Sequence, residues 1–167
     1  PLTTTSLFCS AFHNENLVKR RTEQGSGGGV RLGQGDLDGE GVAADELQVA
    51  ALGLAGVRPE DVTDIIVTPI VRYTTDTLEA FPTARIHLSK RGWVHFPTTH
   101  AHPHDSRGAF PRETLVHLVT DWWDRVVLLE DEHEIAPGLR TWHSGVHHRS
   151  SLVVEVDTTV GTVAISD

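Results

Sequence analysis

The segment "THAHPHD", residues 99–105, places His100, His102, His104 and Asp105 within six residues. Imidazoles and a carboxylate at that density are donors for a borderline metal such as zinc. A strand would put alternate histidines on one face, but Pro103 breaks the ladder, so a loop of solvated histidines competes with a metal site. A second group, His143, His147 and His148 in "TWHSGVHHRSS", falls where one β-rich run ends near Trp142 and another starts near Ser151. Gly145 permits a tight turn there, and partly exposed turn histidines are the alternative to a functional cluster. His87 alternates with Ile86 and Leu88 on a strand and His117 lies on the polar side of a helix, so each is expected to face solvent or a hydrogen-bond partner. Tyr73 and Thr74 could form a polar patch, with ordinary hydrogen bonding as the default because no base lies near them in sequence. No G-x-S-x-G, P-loop or G-x-G-x-x-G motif is present.

These residues need elements to position them. Pro1 to Glu40 is dense in Gly and offers little apolar periodicity, which predicts a loop or linker over residues 1–41. From Val42, the apolar stripe Leu47, Ala50, Ala51 and Leu54 predicts an amphipathic helix packing one face on a sheet, with Gly53 and Gly56 near its end. Ile65 to Thr68 reads as a strand covered on both faces, "TTDTLEAFP" as a turn with a short helix, and Ala84 to Leu88 as a second strand. Such alternation implies a layered α/β sheet, whose ligands collect at the carboxyl ends of the strands. Beyond Pro111, Leu115, Leu118, Val119 and Trp122 fall at helical spacing. The runs "DRVVLLEDEHEI", "GLRTWHSGV", "SLVVEVD" and "GTVAISD" then predict a mostly antiparallel set of strands.

Composition narrows the partners. The 167 residues can bury one modest core, and 14 basic against 23 acidic side chains give a net charge of -9, which repels nucleic acid and anionic membranes. The single cysteine, Cys9, forms no intrachain disulfide, and no run approaches the roughly 20 apolar residues of a membrane span, so a cytoplasmic, soluble protein is expected. The chain has no methionine, so Pro1 is read as a processed terminus or the first residue of a fragment.

Taken together, "PEDVTDIIVT", "LEAFPTARIHLSKRGW", "LLEDEHEIAPGLRTWHSGVHHRSSLVVEV" and "GTVAISD" resemble the metallo-β-lactamase-fold hydrolases, in particular the acyl-homoserine lactonase branch, over residues 42–167. The resemblance implies an αββα fold, incomplete in this chain. In that family a strand ends in a threonine followed by H-x-H-x-D-H. Thr68 matches the threonine, but the ligand positions fall on Pro69, Val71, Tyr73 and Thr74, none of which replaces a His or Asp ligand. The next histidine ligand falls on His147, and the aspartate that bridges two metals falls on Asp167. The family's strand ending in Asp-x-Gly has no counterpart in residues 1–41, and complete members continue beyond the position of Asp167 with a further histidine. The chain therefore reads as a truncated domain, a fragment or a set of separated segments.

A catalytic zinc usually takes about three protein ligands, and His147 with Asp167 falls short. The first reading is a degenerate relative without a cofactor, whose cleft binds a small molecule or supports assembly, as a homo-oligomer or with a partner chain completing the sheet. The second is an ester or lactone hydrolase with a reduced or displaced zinc site built from His147, Asp167 and one histidine of "THAHPHD". The third is a metal-independent enzyme with Tyr73 or His147 as general acid or base.

Overall fold

The computed structural model describes residues 5–9 as backbone, and residues 49–50, 52–54, 56–98 and 112–166, with the side chains of Tyr73 and Pro97 left out. Among the described residues eight strands form two sheets. β1 (Thr5–Cys9), β2 (Val62–Val67), β3 (Arg85–Ser89) and β4 (Val126–Leu129) are parallel and adjacent in that order. β5 (Glu132–Ala136), β6 (Leu139–His143), β7 (Leu152–Thr158) and β8 (Gly161–Ile165) form an antiparallel meander. Besides helical residues at 49–50 and 52–54, the described helices are α1 (Arg72–Thr75), α2 (Lys90–Thr98) and α3 (Arg112–Val119), with single 3-10 turns at Pro59–Asp61, Leu78–Ala80 and Trp123–Arg125.

β2 explains the layering. Side chains alternate across a strand, and Ile65 and Val67 pack with Leu52, Leu78, Ile86 and Leu118 on the helical side, while Ile66 packs with Leu129, Leu139, Leu152 and Val154 between the sheets. The unbroken apolar run is thus buried on both faces, as expected. Three layers result: helices, parallel sheet, antiparallel sheet. Among the described residues no helix covers the outer face of the antiparallel sheet, where Arg140 and Trp142 are exposed, so the expected αββα arrangement is present in part. No described helix is long and apolar enough to cross a membrane.

Four expectations change. Thr5–Cys9 lies within the segment read as a linker, yet it pairs with β2, because hydrogen bonding to a neighbouring strand outweighs weak local patterning. The helix before β2 is described at 49–50 and 52–54, and it turns Leu52 inward while Leu54, two residues on and so on the opposite side of the helix, is 80% exposed. In α3, Leu118 is buried and Trp122 beyond the helix packs against the same core, but Val119 is 52% exposed. "DRVVLLEDEHEI" divides between the sheets: β4 extends the parallel sheet, and only β5 begins the antiparallel one.

Candidate functional site

The carboxyl ends of β2, β3 and β4 meet the turn between β6 and β7. Thr68 ends β2 with its hydroxyl accepting from Leu152 N–H at 2.8 Å and 3.3 Å from Leu152 O. The following Thr68–Pro69 peptide is cis. One residue on, Ile70 N–H donates to Ser150 Oγ at 2.8 Å. The loop then closes on itself. Thr74 Oγ1 lies 2.5 Å from Pro69 O and 2.8 Å from Val71 O, which compete for its proton, and it is 3.3 Å from Val71 N–H. Thr75 Oγ1 also donates to Val71 O at 2.9 Å.

These hydroxyl groups are buried. Thr68, Thr74, Thr75, Ser150 and Ser151 are each at most 1% exposed, and Ile70 and Val71 join them in the interior. A buried hydroxyl must be hydrogen-bonded or it costs desolvation free energy, and here the partners are backbone groups of the same loop, of the turn before β7 and of the start of β7. Of the four positions that the resemblance matches to metal ligands, Pro69 and Val71 carry no side-chain donor, and the Thr74 hydroxyl is committed to the backbone. Tyr73 sits in α1, with its side chain outside the description. The donor set at this loop does not fit a dinuclear zinc centre. Among the described residues, no group of three or more His, Cys, Asp or Glu could hold a metal.

Residues 99–111, with His100, His102, His104 and Asp105, lie outside the described residues, as does Asp167. His147 is exposed and meets the edge of His148 with ring centroids 4.6 Å apart. His117 Nδ1–H donates to Asp121 Oδ2 at 2.9 Å, and the ring stacks on Trp122. His87 takes the second of its expected surroundings: it is buried, with Nε2 2.7 Å from Asp64 Oδ1.

Two residues not singled out as a pair come together across the sheets. Ser89, buried at the end of β3, caps α2 by accepting Gly92 N–H at 3.2 Å, and its Oγ lies 3.3 Å from His143 Nδ1 at the end of β6. Burial, with a further contribution from the Arg91 charge, lowers the His143 pKa, and Asp131 opposes the shift. Beside them, Lys90 pairs with Glu130 and Arg91 with Asp131. These four residues, with Val94 and His95, line a surface depression of about 530 Å³. The available signal in the sequence was positional: "HLSKRG" leaves a serine at a strand end before a helix.

No family model matches the chain, and no curated protein matches it in sequence. Solved structures do match its fold. A candidate metallo-β-lactamase from Thermotoga maritima is 22% identical with a TM-score of 0.53, covering 72% of this chain and 55% of that one. A candidate metal-dependent hydrolase from Staphylococcus aureus is 16% identical with a TM-score of 0.54, over 70% and 42%. An N-acyl homoserine lactone hydrolase, solved with N-hexanoyl-L-homoserine at its catalytic metal centre, is 18% identical with a TM-score of 0.54, also over 70% and 42%. The chain thus spans about half the length, or less, of the structures it matches. With its layered sheets and the threonine-ended strand β2, the chain has a partial metallo-β-lactamase fold.

Proposed function

We propose that this is a metallo-β-lactamase-fold protein that has lost the dinuclear centre at the loop after β2 and uses the cleft at the strand ends to bind a small molecule. The observation that supports this reading is the Thr74 hydroxyl, which holds Pro69 O and Val71 O where the family places ligands. Filling the loop with self-satisfied hydroxyls removes the donors that would lower the pKa of a bridging water. On this reading the protein is a soluble, cytoplasmic pseudoenzyme, and a second chain could pair with an open edge such as β8.

Metal analysis of untagged protein, with turnover of a simple lactone before and after chelation, tests this. Well under one metal per chain and no chelator-sensitive turnover are expected. Stoichiometric zinc with turnover lost on chelation would overturn it in favour of a displaced site using His147, Asp167 and a histidine of residues 99–105. That alternative draws on the fold neighbour that is an N-acyl homoserine lactone hydrolase.

A further inference from the structure

The two sheets meet in rungs that follow from their registers. At the strand ends, Thr68 Oγ1 accepts Leu152 N–H and Ser89 Oγ lies 3.3 Å from His143 Nδ1. One rung back, Ile66 pairs with His87 in the parallel sheet and Val154 with Thr141 in the antiparallel one, and Ile66 and Val154 share a buried cluster. Side chains two residues apart lie on the same face of a strand, so His87 faces Thr141 across the interface as Ser89 faces His143. Thr141 points inward between the exposed Arg140 and Trp142, and it and His87 are each 2% exposed.

The polar atoms of this rung do not meet. His87 donates Nε2–H to Asp64 Oδ1 at 2.7 Å, which leaves a lone pair on Nδ1. Nδ1 and Thr141 Oγ1 are both buried without a hydrogen-bond partner. Such atoms disfavour the closed packing, because parting the sheets gives each of them water. The charges facing His87 come from three strands. Asp64 on β2 favours an imidazolium, whereas Arg85 on β3 and His133 on β5, the register partner of Thr141, oppose it. β4 and β6 bring Val127 and Thr141 to this rung, and neither is charged.

We propose that this rung is an acid-sensitive latch: protonation of His87 parts strands β5 to β7 from the parallel sheet, which itself stays folded, and opens the strand-end cleft beside it. In the closed form the added proton puts a charge between the sheets, beside Arg85 and away from water. In the open form the same proton is hydrated. The open form therefore binds it more readily, and acidification favours opening from the ordinary histidine value of 6.5 downward, until the depressed value of the closed form is passed. Above 6.5 the proton adds nothing and the latch stays shut. Thr68 and Ser89 hold the next rung at the floor of the cleft, so the parting reaches it. The latch goes beyond the binding role and stands whether or not the cleft takes a ligand.

The test uses the whole chain with Cys9→Ser and one probe thiol, either Val154→Cys in the cluster between the sheets or Ile86→Cys in the cluster on the helical side. Each is labelled with dithiodipyridine, and its rate at each pH is divided by that of free cysteine. Below 6.5 the Val154→Cys rate should rise by up to about tenfold per pH unit, the limit for one proton. At about pH 5.5 it should exceed the Ile86→Cys rate by at least about tenfold, because the helical side opens only with the whole chain. His87→Gln should abolish the rise, and His117→Ala, exposed on α3, should leave it intact. Thr141→Val keeps the shape and removes the unpartnered hydroxyl, so it should slow Val154→Cys labelling at every pH, and it carries the test if His87→Gln does not fold. Equal rates at the two thiols would mean that only global unfolding exposes the interface, and would overturn the proposal. So would a rise that survives in folded His87→Gln, or a Val154→Cys rate indifferent to pH and to Thr141→Val.

Discussion

His87 Nε2 lies 2.7 Å from Asp64 Oδ1, and both side chains are within 3% of full burial, on neighbouring strands of the parallel sheet. Asp64 Oδ1 also receives Arg85 at 2.7 Å, and Thr63 donates to Oδ2 at 2.8 Å. Burial lowers the His87 pKa against the pull of Asp64. Burial pushes Asp64 upward, but the bonds from His87 and Thr63 and the Arg85 charge outweigh it, leaving the carboxyl below its ordinary value. For His87 the unfolded state binds the proton first, so its contribution is present above 6.5 and is lost as pH falls from there toward the depressed folded value. Asp64 contributes above 3.8 and loses that contribution as pH falls through its lower folded value. Thermal melts should therefore drop in two stages on acidification, and His87→Gln should flatten the upper stage. A melting temperature independent of pH between 7 and 5 in the wild type would refute this.

Gly92 is expected to resist substitution. A Cβ there would lie 2.3 Å from Ser150 Cβ and 2.6 Å from Ser150 Cα, so the first turn of α2 is pressed against the turn before β7. Gly92→Ala should cost about 1–3 kcal/mol by overpacking. Ser150→Gly removes the nearer atom but also the acceptor for Ile70 N–H, so the double variant should recover only part of the loss. A denaturant-melt cycle measures the coupling, and additive effects would contradict the contact.

The hydroxyl-filled loop predicts a cost for an isosteric change. Thr74→Val keeps the shape and removes the hydroxyl bonded to Pro69 O, which then keeps only Val71 N–H at 3.1 Å, so a loss of about 1 kcal/mol is expected. Urea unfolding at fixed pH reads it directly. A change within about 0.5 kcal/mol, the usual range for uninvolved positions, would show that the hydroxyl does not hold the loop.

The helix before β2 offers a paired comparison. Leu52 is 9% exposed and joins the helical-side core, while Leu54 is 80% exposed. Leu52→Ala should destabilise by about 2 kcal/mol, near the lower end for core leucines because the site borders solvent, and Leu54→Ala should be close to neutral. Equal effects of the two variants would restore the stripe read from Leu47, Ala50, Ala51 and Leu54.

Local chemistry carried much of the fold into the sequence. The β-branched run Ile65 to Thr68 suited a strand buried on both faces, and Gly and Pro marked the turns around it. That Pro69, Val71, Tyr73 and Thr74 are neither His nor Asp is a matter of residue type, and needs no coordinates. What fills the loop is different, because the partner of Ile70 N–H, Ser150, is 80 residues away. His87 and Asp64 are 23 residues apart, and Ser89 and His143 are 54 apart. Periodicity reports which face a side chain takes on its own element, but not which residue of another element meets it there. That depends on strand order and register, which place β3 beside β2 and bring the ends of β3 and β6 together. A serine before a helix and a histidine in a turn are ordinary in the sequence, and the stacking of the two sheets made them a pair.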